Sequence, residues 1–536
     1  MKRLGRAVGR RFEQCLFDHR RAVIAVFVLL VLVMAASASR LRVDADFEKM
    51  VPAAHPYMQV FSEYREDFGG ADRVLVALTV SEGEIFTAGF MEALRAATDE
   101  VFFIPGVDRA RVTSLFTPNV RFVEVVEDGL SGGDVVPADF APTPAGLARV
   151  RENVLRSDVV GRLVADDLGG ALISAELLAV DAATGEPVDY VRVSRDLEER
   201  VRMRFDGLDD GGRTIEVHIV GFARVVGEVA DALERVALFF LLTLVLTGAL
   251  VTAYTRSLRL AAPPVACSLI AVLIGLGLLP LLGLGIDPLS ILVPFLVFAI
   301  GVSHGVQMVG AFRAEALAGA DPETAARRAF RRLLLPGAVA LASDSLGFLA
   351  ITVIDIGIVR EMAVTAGVGV AAIVLTNLLL LPLWLAGLRA QTTFPPPPGW
   401  RWFWPAAVAR PRVALAVLGC AAVLAVFGAG QASTVSVGDR HAGVPELRED
   451  SRYNRDARVI VERFRIGVDS LSVFVVSEPE GCIDFDVMRS VDTLAWRLAN
   501  VEDVQFVQAL PFSARAVHSG WNEGGLKWRE LPRDPL

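Results

Sequence analysis

The chain has 536 residues, 53% of them hydrophobic, and a net charge of −9 at pH 7. Apolar runs of about 20 residues, long enough to cross a hydrocarbon core of roughly 30 Å, exclude a purely soluble protein. The acidic balance, with no basic stripe outside short loops, excludes nucleic acid as a partner. Cys15, Cys267, Cys420 and Cys482 show neither paired nor metal-ligand spacing, so they read as small apolar residues.

In chain order the pattern predicts residues 1–21 as a basic N-terminus and residues 22–38 as a first span. Residues 39–235 then form a large polar region. Within it, alternation predicts strands at Arg73–Val80, Val107–Leu115, Ala171–Val180 and Thr214–Val220, with helices at Ala88–Val101 and Val193–Phe205. Two β-α-β halves of this kind make a split, ferredoxin-like α+β domain, with Ser131–Pro144 as the loop between them. Five further spans follow in residues 236–388, at Val236–Tyr254, Leu260–Leu284, Pro288–Phe312, Leu333–Ile354 and Met362–Leu388. Pro294 is expected to kink the fourth span or to free a carbonyl there. A helix opened by Asp321-Pro322-Glu323 and ending in Arg327, Arg328, Arg331 and Arg332 is expected on the inner membrane surface. Residues 389–412 form a link, residues 413–430 a seventh span, and residues 431–536 a second polar region.

The second polar region reads like the first. Asp72–Val80 matches Asp469–Val476, Val51-Pro52 matches Val444-Pro445, and Phe68 before Gly70 matches Phe464 before Gly467. This internal repeat predicts a duplicated membrane unit with a shortened second copy: strand Leu471–Val476, helix Phe485–Asn500, strand Val504–Leu510, then a turn-rich end. The alternative of a signal peptide cleaved at Ala36-Ser37-Ala38 conflicts with the internal counterpart of that run at Val413–Gly430. Basic residues occupy every second loop, which orients the N-terminus to the cytoplasm and both polar regions outside. An alanine- and arginine-rich composition fits a bacterial inner membrane.

The chemistry-bearing residues cluster in the fourth and fifth spans, in Gly301-Val-Ser-His304-Gly-Val-Gln307 and Asp344-Ser-Leu-Gly-Phe348. A carboxylate at mid-bilayer costs roughly 3 kcal/mol and usually faces a bundle interior or an ion path. The expected site takes a proton on Asp344, with His304, Ser303 and Gln307 as hydrogen-bond partners; a static polar pair that only fixes helix register is the alternative. Gly301, Gly305, Ala311, Gly367 and Gly369 are expected where helices approach closely. Gly129-Leu-Ser-Gly-Gly133 fits a hydrolase elbow without its strand-to-helix context, and Gly367-Val-Gly-Val-Ala-Ala372 fits a dinucleotide fingerprint inside an apolar span. No Walker loop is present, so energy from ATP within the chain is not expected; nor is an enzyme, a cofactor or a metal.

The layout, together with Ala45-Asp-Phe-Glu-Lys-Met-Val-Pro52, Phe298–Gln307 and Asp344–Phe348, resembles the resistance-nodulation-division (RND) superfamily and its MMPL-like branch. The five middle spans resemble a sterol-sensing domain. The resemblance implies proton-driven export of hydrophobic or amphipathic, lipid-like molecules, with membrane lipids as surroundings and a second polypeptide as a source of the missing C-terminal half. It also implies an acidic residue in the fourth span where this sequence has Ser303, with His304 at the aromatic position, so Asp344 is expected to supply the acid. Two other readings are a non-transporting lipid-sensing scaffold and, last, a protein-translocation accessory.

Overall fold

The computed structural model describes residues 11–42, 49–52, 54–68, 73–126, 129–178, 180–181, 185–388, 410–435, 443–444, 447–466, 471–502 and 504–533. Residues 45–48 of the 45–52 motif, the link over 389–409 and the 467–470 part of the internal match lie outside these. Two compact units are present, Met1–Glu63 with Asp231–Gly438 and Tyr64–Ala230 with Asp439–Leu536.

The first unit holds the membrane helices, except the start of one, Phe222–Ala230, which belongs to the second. Among the described residues, seven helices are long and apolar enough to cross a bilayer: Arg20–Ala38, Phe222–Thr255, Leu258–Leu281, Ser290–Leu317, Pro322–Val353, Gly357–Ala386 and Pro411–Ala432. Each coincides with an expected span, and three bounds are corrected. Span two is part of a helix that begins at Phe222, because no residue between Phe222 and Val236 breaks it. The expected surface helix after Asp321 is continuous with span five, as one helix Pro322–Ala350 whose first turn is capped by Asp321 accepting from Thr324 N. Pro294 occupies the first turn of its helix, where a missing N–H costs nothing, so it starts span four and does not kink it. Span six changes pitch, passing from Gly357–Ile373 through a π-helical stretch Val374–Leu380 to Leu381–Ala386.

The second unit is built on a five-stranded antiparallel sheet. Its strands are β1 (Arg73–Val80), β2 (Val107–Thr113), β5 (Gly170–Leu177), β6 (Leu208–Asp209) and β7 (Thr214–Gly221), in the order β2-β5-β1-β7-β6. Central β1 pairs with β5 on one side and β7 on the other, Ala77 lying opposite Leu172 and His218. Each β-α-β step therefore skips one strand. Val74–Val80 are buried on both faces, since successive side chains point to opposite sides. Of the domain helices α1 (Pro56–Phe68), α2 (Ala88–Phe102), α3 (Pro144–Arg156) and α4 (Tyr190–Asp196), α2 buries Phe90, Leu94, Ala97 and Val101 in the core behind a Thr87 cap.

The expected loop over Ser131–Pro144 is corrected. A two-stranded hairpin of β3 (Arg121–Val126) and β4 (Gly129–Asp134) stands at its start. The glycines hid it: they lack the β-branched side chains that signal strands, yet a Cβ on Gly132 would lie 2.8 Å from the Phe122 carbonyl. The hydrolase-like Gly129–Gly133 run is thus strand, with no elbow.

After span seven come α5 (Arg452–Arg463), α6 (Phe485–Ala499) and α7 (Leu510–Trp521). The expected strands at Leu471–Val476 and Val504–Leu510 carry no ladder among the described residues, and Leu510 opens a helix. A strand lacking a neighbour has nowhere to place its backbone hydrogen bonds except water. Helix α5 instead joins the first sheet: Tyr453, Ala457, Ile460 and Phe464 are buried in the same core as β1, β5 and β7.

Candidate functional site in the membrane bundle

Small residues set the geometry of spans three, four and six. A Cβ on Gly301 would lie 2.8 Å from Ser268 Oγ and 3.3 Å from Asn377 Nδ2, and one on Gly305 would lie 2.6 Å from Pro264 Cβ and 3.0 Å from Asn377 Oδ1. A Cβ on Gly369 would lie 2.6 Å from Val297 Cγ2. Three helices therefore meet at their backbones, as small residues permit in membranes.

At that meeting point the polar groups are Ser268 and Asn377, both fully buried. Ser268 Oγ donates to the Pro264 carbonyl at 2.7 Å. Asn377, within the π-helical stretch, has neither amide atom hydrogen-bonded. An unpaired amide in a hydrocarbon-like interior costs several kcal/mol, and a π-bulge in a helix is frequent at functional positions.

The expected residues sit around this junction in different environments. His304 is half-buried and its Nδ1 lies 3.1 Å from the Ile300 carbonyl one turn back. Ser303 and Gln307 are exposed on the other flank of span four. Asp344 is exposed on span five, with no hydrogen bond or ion pair among the described residues, while its neighbour Ser345 is buried with an unpaired hydroxyl. No hydrogen bond joins Asp344 to His304, Ser303 or Gln307. The bundle thus holds an unpartnered carboxylate on its outer surface and an unpartnered amide at its centre. The carboxylate can take and release a proton; the amide can donate and accept without changing charge. Sequence reasoning missed Asn377, although it and Thr376 interrupt an otherwise apolar run from Ala371 to Leu383.

A second buried polar group lies in the sheet unit. Asp456 of α5 is 2% exposed and accepts from Arg202 Nη2 at 2.6 Å, His218 Nδ1 at 3.1 Å and Ile219 N at 3.2 Å. Arg202 also bonds Glu198, which pairs with Arg224 at 2.8 Å, and Arg224 pairs with Glu228. Glu228 in turn accepts from Tyr453 N at 3.0 Å. Burial pushes the Asp456 carboxyl up, but the His218 hydrogen bond and the Arg202 charge outweigh it and hold the group below the usual carboxylate range.

Residues 193–414 match the model of the MMPL family, which covers spans two to six and reaches into the seventh. Over this segment the chain is similar to the MMPL family. Over 377 residues the chain is also 22% identical to a Methanocaldococcus jannaschii protein described as membrane protein MJ1562, with 68% of this chain and 90% of that one covered. With its candidate spans, the chain is a multi-pass membrane protein.

Proposed function

We propose that this MMPL-type chain works in proton-driven export of hydrophobic or amphipathic, lipid-like molecules. The observation that carries the reading is Asp344: an ionisable carboxylate within a spanning helix, with no hydrogen bond or ion pair among the described residues. A proton crossing 100 mV releases about 2.3 kcal/mol, so a few protons can drive a conformational cycle. Asp344 carries the proton in this reading, and Ser303, His304 and Gln307 offer hydrogen-bonding groups on the neighbouring span.

In this reading the basic end of the bundle is cytoplasmic, the membrane is a bacterial inner membrane, and the sheet unit is a periplasmic, ferredoxin-like porter domain that handles substrate. Its skipped-strand order supports that assignment. The region after span seven is a partial second copy, supported by helices α5 and α6 at the same chain offsets as α1 and α2.

Reconstituted proteoliposomes with an internal pH-sensitive dye test the proposal. The wild-type chain, with whatever partner it copurifies with, should dissipate an imposed proton gradient, and Asp344→Asn should insert normally yet lose that flux. Flux that survives Asp344→Asn rejects the site. A lipid-sensing scaffold instead shows no gradient-dependent flux in either protein.

A further inference from the structure

Arg313 stands in the last turns of span four, yet it is turned into the bundle: it is 5% exposed, and its Nη1 has no hydrogen-bond partner. Its guanidinium lies over the Tyr254 ring, 5.5 Å from the centroid. A ring face attracts a cation but cannot satisfy the five N–H donors of a guanidinium fork.

Two more arginines come to the same level. Span four runs antiparallel to span three with Gly301 against Ser268 and Gly305 against Pro264. Continuing that register by eight residues brings Arg313 level with Arg256, which sits in the turn between spans two and three at φ 53°. Arg259 opens span three, and both Arg256 and Arg259 are exposed.

The carboxylates at this end of the bundle are engaged elsewhere. Glu13 pairs with Arg331, Asp18 and Glu323 with Arg327, and Glu315 with Arg328, while Asp321 caps span five. Arg256, Arg259 and Arg313 have no ion pair among the described residues. A buried cation without a counter-charge is costly, so an anion placed against Arg313 would be stabilised there.

We propose that Arg313, with Arg256 and Arg259 at the rim, binds the phosphate of an anionic lipid headgroup. Guanidinium forks match phosphate oxygens bidentately, and basic pockets between spanning helices are a known class of headgroup site. The lipid source follows from span two, where Leu242, Leu246 and Leu250 are exposed at four-residue steps leading to Tyr254, itself 43% exposed. That stripe offers acyl chains a track ending at the site. The site stands independently of proton coupling at Asp344, so the failure of either leaves the other intact.

The test uses the delipidated full chain in micelles, with bound lipid counted by native mass spectrometry. Phosphatidylglycerol should be retained about tenfold over phosphatidylcholine of the same chains, because both offer the phosphate but choline brings a cation against the arginines. Arg313→Gln should bring that ratio to parity, whereas Arg332→Gln, an exposed arginine elsewhere at this end, should leave it unchanged. Should Arg313→Gln fail to fold, the Arg256→Gln/Arg259→Gln pair carries the same expectation. A preference that survives in Arg313→Gln, or falls equally in Arg332→Gln, overturns the site. Displacement of phosphatidylglycerol by equimolar inorganic phosphate overturns the lipid assignment and makes this a free-phosphate site.

Discussion

Asp456 shows how much one buried charge can depend on its neighbours. Its carboxylate has left water for a place where Arg202, His218 and a backbone N–H supply what solvent would have given. Removing one member of such a set leaves the others buried and unpaired, which costs about 3–5 kcal/mol, whereas an exposed pair such as Arg448 with Asp450 contributes about 0–1 kcal/mol. Asp456→Ala should therefore lower the melting temperature of the sheet unit substantially, and Asp450→Ala should not; circular dichroism of the two variants makes the comparison. The pH dependence has a definite sign. The folded-state pKa of Asp456 lies below its unfolded value near 3.9, so its stabilisation is fully present above that value. It is lost as pH falls through the lower, folded-state pKa. Asp456→Asn should accordingly flatten the acid limb of the wild-type stability curve, and an unchanged limb would assign acid sensitivity to other carboxylates.

At the scale of elements, the spans and the sheet strands were legible because each follows one period. Unbroken apolar runs gave the seven spans, and alternation gave β1 at its observed bounds. What the periods could not show was pairing. The hairpin β3–β4 was hidden by glycines, while 471–476 alternates like β1 but has no neighbour to complete a ladder. The candidate site was legible by residue type and not by facing: Asp344 and His304 stand out as polar residues in apolar spans, but whether a side chain points inward depends on which helices surround it. Close helix approach was legible, since Gly301, Gly305, Gly367 and Gly369 each leave too little room for a Cβ to pass without displacement. This gives an element-scale prediction. In Gly305→Val the new Cβ would meet Pro264 Cβ at 2.6 Å and Asn377 Oδ1 at 3.0 Å, pushing span four from spans three and six. Overpacking of this kind costs typically 1–3 kcal/mol, so the variant should unfold at lower denaturant than wild type. Gly310→Val, on the same helix with open space around its Cβ position, should not.

For the whole molecule, the region after span seven has a task that its position in the chain does not announce. Helix α5 is capped by Ser451 and carries polar residues on one side, as a surface helix would, yet it buries Tyr453, Ala457, Ile460 and Phe464 in a core formed by strands some 230 to 380 residues earlier. Its Arg463 reaches Asp167 at 2.8 Å and the Val80 carbonyl at 3.2 Å, and Asp166 N donates to the Arg463 carbonyl. The sheet unit is thus assembled from both sides of the membrane bundle in sequence, and contacts this distant in the chain form late and at high entropic cost. If α5 is a structural part of that unit, deleting residues 452–463 should uncover β7 and strand Arg202 and His218 without their carboxylate. Hydrogen–deuterium exchange of the full-length protein against the deletion tests this directly. Protection should fall across Thr214–Gly221 and Leu197–Arg202 while the spans keep theirs, because local stability follows the packed neighbours of each segment. Unchanged protection in β7 would make α5 an accessory laid on a finished domain, and Asp456 a consequence of the fold with no part in holding it.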